Sequence, residues 1–133
     1  MESIPVEILL YVNTFFGHLF ADFFCQTRKM AANKYLPGKN GAVWCTIHVI
    51  TYTLVVVMFT QKLSVLFFLG VFIPHWLIDR HSLAYQWMRV TGSANLLFEN
   101  KDNKPSFGPL IYVVMDQTLH FFCLYLLLRY MRR

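Results

Sequence analysis

The chain has 133 residues, enough for one domain and too few for two. Hydrophobic residues make up 56% of it and charged residues only 14%, against roughly 25% charged in a soluble domain, so an integral membrane protein is expected. The formal charge of +5 does not argue for nucleic acid, because the basic residues sit in connections and at the C-terminus, where juxtamembrane charges lie.

A helix needs about 20 mostly apolar residues to cross the hydrocarbon core. The first such segment runs over about 4–26, with Pro5 suited to its first turn. The connection after it carries Arg28, Lys29, Lys34 and Lys39, with turn signals at Pro37-Gly38 and Asn40-Gly41. The second segment, about 42–60, contains His48, and Gln61-Lys62 leaves room only for a tight hairpin. The third, about 63–79, contains Pro74, which removes one helix hydrogen bond and predicts a kink before His75. In the long connection that follows, Leu83, Trp87 and Val90 recur at helical spacing, which predicts a short helix on the membrane surface. A polar loop, Glu99 to Pro105, leads into the fourth segment, about 108–128. The expected fold is all-α: a single four-helix transmembrane bundle with a short interfacial helix between helices 3 and 4.

Four spans put both termini on one side. The first and third connections carry eight Lys/Arg, at 28, 29, 34, 39, 80, 89, 101 and 104; the other side has Lys62 and the C-terminal Arg129, Arg132 and Arg133. The positive-inside rule then places the long connections in the cytoplasm and the termini outside, in a bacterial inner (plasma) membrane. The N-terminus lacks a basic region and a small-residue cleavage site, so no removable signal peptide is expected. Cys25, Cys45 and Cys123 lie in apolar segments, and three cysteines imply no disulfide framework.

Against this apolar background a His and an Asp recur four residues apart: His18/Asp22, His75/Asp79 and Asp116/His120, with His48 alone. Positions i and i+4 share a helix face. An ionised side chain deep in a bilayer costs about 2.5–3.5 kcal/mol on insertion scales, so three aspartates need a reason. Counted along four antiparallel spans at about 1.5 Å per residue, all seven residues fall roughly 5–15 Å below one membrane face. Helical bundles build metal sites from such facing side chains, and His with carboxylate suits Zn²⁺, Mn²⁺ or Fe²⁺. Seven candidate ligands exceed the four of one tetrahedral ion. Either two divalent ions share the layer or some residues orient ligands; Gln26, Gln117 and Tyr52 are read as hydrogen-bonding supports of that kind. Arg28, Lys29 and Arg80 rim the layer and suit an anionic head group.

A bound divalent ion activates water and polarises a phosphoryl oxygen. The expected function is therefore a metal-dependent hydrolase acting on a phosphate-containing membrane lipid or lipid-linked substrate. The alternatives are an interaction or regulatory protein whose His/Asp network is structural, docking a protein partner or a second copy, and a metal-ion or proton transporter. Transport is disfavoured by the dry far halves of the spans, Leu54 to Phe59 and Val65 to Phe68. A haem held by two His would not need three buried Asp.

The motifs His18-x-x-x-Asp22-Phe23-x-x-Gln26, lone His48, His75-x-x-x-Asp79 and Asp116-Gln117-x-x-His120 resemble those of a family of small bacterial and phage membrane proteins of unknown function. Met30 and Lys34 fit the segment after the first motif. The resemblance spans nearly the whole chain and implies a membrane location without an activity. The pattern is also distantly similar to that of membrane-bound metal-dependent hydrolases.

Overall fold

Apolar runs broken by few Gly or Pro fold as helices, and the breaks fall where capping chemistry puts them. The computed structural model describes residues 5–97 and 108–131, and the regular elements among them are all helical. In chain order they are α1 (Val6–Leu19) continuing as a π-helical turn (Phe20–Phe24), α2 (Arg28–Asn33), α3 (Gly38–Thr60), α4 (Val65–Arg80), α5 (Leu83–Val90), a 3-10 turn (Ser93–Leu97) and α6 (Gly108–Met131). The polar loop expected over Glu99–Pro105 lies outside the described residues.

Pro5 caps α1, as its fixed φ favours. The Cys25 amide closes the π turn by donating to Phe20 O at 3.2 Å. Expected as plain connection, α2 is instead a helix opened by a reciprocal cap: Thr27 Oγ1 accepts from the Met30 amide, and the Thr27 amide reaches Met30 Sδ. Extended Pro37 then starts α3 at Gly38, earlier than the predicted 42. Asn40-Gly41 is thus in the first helical turn and not in a loop. Gly41 is required there, because a Cβ would lie 1.8 Å from Leu36 O. Gln61 in the left-handed region (φ 54°) ends α3, and Ser64 caps α4 by accepting from the Phe67 amide. Pro74 lies inside α4 and leaves the Gly70 carbonyl without its usual donor.

α1 packs on α3, α3 on α4, α4 on α6, and α6 back on α1. α2 lies on α3, and α5 bridges α4 and α6. α1 and α3 come closest at Gly17, where a Cβ would sit 2.9 Å from Phe59 Cβ. Val56, Phe67, Val71, Leu124 and Leu128 form a dry cluster between the helices, with Tyr52 and Ala21 at its edge. Among the described residues two helices, α3 and α6, are long and apolar enough to cross a membrane. α1 (14 residues) and α4 (16 residues) are shorter than the spans read from sequence. In α5, Ala84 and Met88 are buried while Leu83, Trp87 and Val90 face outward.

Candidate metal centre

Asp22 comes from the π turn after α1, His48 from α3, His75 and Asp79 from the last turns of α4, and Asp116 and His120 from the first half of α6. Each is buried. Their polar atoms converge. His48 Nε2 and His75 Nε2 are 3.2 Å apart. His48 Nε2 lies 3.3 Å from Asp22 Oδ1 and 3.2 Å from Asp79 Oδ2; His75 Nε2 lies 3.8 and 3.4 Å from the same two oxygens. Ligand atoms about 2.0–2.1 Å from a tetrahedral ion stand about 3.3 Å from one another. Each imidazole nitrogen therefore stands near coordination spacing from the other and from both carboxylates, while none of the donor groups mutually within 4.8 Å among the described residues contains both Asp22 and Asp79.

Hydrogen bonding accounts for them poorly. A bond between the two imidazoles uses one ring's Nε2 proton and the other's Nε2 lone pair, which leaves the accepting nitrogen no proton to offer the carboxylates beside it. Among the described residues Asp22 Oδ1, Asp79 Oδ1, His75 Nδ1 and His120 Nε2 are buried without a hydrogen-bond partner. Such atoms cost about 1–3 kcal/mol each when left unmet, and four in one cluster call for a ligand.

A second face adjoins the first. His120 Nδ1 lies 2.8 Å from the Asp116 carbonyl oxygen, to which it donates, so the Nε2 lone pair faces Asp79 Oδ1 at 3.7 Å. Three groups of donors lie within 4.8 Å of one another: Asp22, His48 and His75; His75, Asp79 and His120; Asp22, Asp116 and His120. Shared members make these one continuous cluster that could hold a metal ion.

His18 differs from the ligand role expected of it, because both its ring nitrogens have partners. The Asp22 carboxylate only accepts, so the Gln117 amide nitrogen faces Asp22 Oδ2 at 2.8 Å. Gln117 Oε1 then faces His18 Nε2 at 2.7 Å, which must donate. His18 Nδ1 is left to accept from the Tyr52 hydroxyl at 2.6 Å. This chain of three bonds fixes one neutral tautomer of His18 and aims the Asp22 carboxylate. Gln117 and Tyr52 are thus hydrogen-bonding supports of the cluster. With its amide turned so that nitrogen faces the carbonyl and oxygen the ammonium, the orientation its two neighbours require, Gln26 bridges the Asp22 carbonyl and Lys34 Nζ, at 3.3 Å each.

Sequence reasoning did not place Lys34 in the site. Its ammonium reaches Asp79 Oδ2 at 2.8 Å, with 5% of the side chain exposed. Burial pushes its pKa down, but the charges of Asp79 and Asp22 more than offset this, and it stays above its ordinary value. Composition alone cannot separate it from Arg28, Lys29 and Lys39; the signal was its fit to the family pattern. Of the rim residues, Arg28 and Lys29 are exposed on α2. Arg80 donates to Leu36 O at 2.9 Å and Gly38 O at 3.1 Å, tying the α2–α3 turn to α4.

A family model described as "Protein of unknown function (DUF3307)" matches residues 10–132. The chain belongs to this family. The DUF3307 match takes in every donor of the cluster, and Lys34, Gln117 and Tyr52 with them. No curated protein and no solved structure matches.

Two spaces lie in this region, the first lined by His75 and His120 and the second by none of the cluster's donors. One is a cavity of about 10 Å³ between His75, His120, Tyr52, Pro74, Gly70 and Cys123, room for about one water. The other is an open groove of about 460 Å³ lined by Tyr35, Tyr85, Leu97, Pro109 and Tyr112. It lies beside Lys34 and one turn before Asp116.

Proposed function

We propose that this chain is an integral membrane protein of four spans, α1 with its π turn, α3, α4 and α6, built around a divalent metal centre. The observation that carries the metal is the convergence of His48, His75, Asp22 and Asp79 at coordination spacing, with four buried polar atoms lacking partners. The membrane reading draws on surface chemistry. Phe16 and Phe24 beside α3, and Leu63, Val65 and Leu66 at the start of α4, are more than half exposed. So are Leu54 and Met58 on α3 and Phe122 on α6. A continuous apolar belt of this kind is foreign to a monomer in water and ordinary against lipid. The long connections are assigned to the cytoplasm of a bacterial inner membrane by the positive-inside rule.

The activity we propose is hydrolysis of a phosphate-containing lipid or lipid-linked substrate. An ion held here supplies an activated water and a Lewis acid for a phosphoryl oxygen. The chain's own residues supply the approach. The tyrosine-lined groove suits the apolar part of such a substrate. Asp116, at 12% side-chain exposure, is the most open carboxylate of the cluster on that side. Arg28 and Lys29 suit the head group. A transporter is disfavoured, because the apolar side chains of Val56, Phe67, Leu124 and Leu128 pack together in the far half.

One observation favours a second reading. Every donor residue is buried, and closed metal sites are usually structural. In that reading the centre fixes helix register in a membrane interaction protein, alone or as a homo-oligomer. Elemental analysis of the purified protein beside Asp22→Asn and His75→Ala tests the metal. About one to two divalent ions per chain are expected, with marked loss in both variants; near-zero metal in all three preparations refutes the metal centre. Release of phosphate from lipid vesicles by the metal-loaded protein separates the hydrolase from the structural reading.

A further inference from the structure

We infer that Lys34 is an internal cation that limits the centre to a single divalent ion, and so sets what the site takes up. The inference rests on the metal reading above and concerns its stoichiometry. Three carboxylates, Asp22, Asp79 and Asp116, lie in the cluster, and Lys34 is the buried Lys or Arg among the described residues that reaches them. Its ammonium is held in place from three sides: by Asp79 Oδ2 at 2.8 Å, by Gln26 Oε1 at 3.3 Å, and by the ring of Tyr35 with the centroid at 5.1 Å. The backbone is fixed as well, since the Lys34 amide donates to Met30 O at 2.9 Å. The capped helix α2 therefore delivers the charge to one point.

The oxygen it touches is one of the converging donor atoms, 3.2 Å from His48 Nε2 and 3.4 Å from His75 Nε2. An ion in that set and the ammonium thus share Asp79 Oδ2. Three negative charges against one ammonium leave two, which one divalent ion neutralises. A second ion would leave the buried cluster with two positive charges, and uncompensated charge in a low dielectric is strongly disfavoured. The donors for a second ion are present, in the group Asp22, Asp116 and His120. Charge, not a shortage of ligands, keeps the count at one. Without the ammonium, two ions leave a single positive charge, which a bound hydroxide balances.

The test is metal stoichiometry by elemental analysis and by titration with Zn²⁺ and with Mn²⁺, on the full chain in detergent. Wild type is expected to bind one equivalent. Lys34→Gln, which keeps a hydrogen-bond donor for Asp79 but no charge, is expected to bind two, the first about tenfold or more tighter than in wild type, since a nearby like charge has gone. Lys34→Met is expected to behave as Lys34→Gln, and Lys34→Arg as wild type. Two equivalents in wild type overturn the inference, as does one equivalent of unchanged affinity in Lys34→Gln. No uptake by wild type strikes instead at the metal reading itself. Wild-type stoichiometry keeps the inference open to refutation even where a neutral variant does not fold.

Discussion

Asp79→Asn isolates the ion pair at the heart of the cluster. In chelator, with metal removed, the carboxylate still compensates Lys34 across 2.8 Å, and the two side chains are 1% and 5% exposed. The replacement has the same shape and no charge. Asp79 Oδ2 now serves Lys34, His48 and His75 together; an amide offers one oxygen and turns donor hydrogens on whatever its nitrogen faces. Stranding a buried charge by removing its partner costs about 3–5 kcal/mol. Asp22 and Asp116 also act on Lys34, so the lower end, about 3 kcal/mol, is expected. For a chain of this length that lowers Tm by about 10–15 °C. Thermal unfolding in detergent with excess chelator, followed by fluorescence of Trp44, Trp76 and Trp87, measures it. Adding Lys34→Met removes the stranded charge, and the double variant is expected to recover about half the loss or more. A single-variant loss below about 1 kcal/mol, or a double variant no better than the single, would refute the argument.

Gln117→Leu cuts the chain from Tyr52 through His18 to Asp22, and metal affinity is expected to fall about 10–100-fold, with a loss of about 1–3 kcal/mol in chelator as His18 Nε2 and Asp22 Oδ2 lose their partner; titration with Zn²⁺ and thermal unfolding check it. Phe67→Ala opens a hole in the dry cluster, where Phe67 is fully buried. Its cost is expected at about 3–5 kcal/mol, with metal stoichiometry unchanged in the protein that remains folded; unfolding and elemental analysis together test this.

The His/Asp cluster was legible because charged and polar residues in an apolar helix stand out, and spacing of four gave each pair a common face. Four helices bringing those faces to one level followed from counting residues. Less visible was the division of labour inside the cluster. His18 has the same sequence signature as His75, but both its ring nitrogens are taken up by Tyr52 and Gln117. Lys34 was hidden because its polar connection folds back as α2, a consequence of the Thr27–Met30 cap that uses Met where Glu or Gln is usual. Asn40-Gly41 read as a turn from its residue types. Its glycine is needed instead for the pass of Leu36 O over the start of α3. The first span was carried two residues too far because hydropathy does not register the π turn that ends it at Phe24, whereas the left-handed stop at Gln61 falls where the hairpin was expected.

The dry cluster on the far side of the centre has a consequence for supply. If the centre holds an ion in a bilayer as proposed, the packing of Val56, Phe67, Leu124 and Leu128 on the far side favours entry from the α2 side. The protein's metal content would then report the free-metal level of that one compartment and be indifferent to the other. Reconstituted vesicles loaded with chelator on a single side would reveal which compartment it samples.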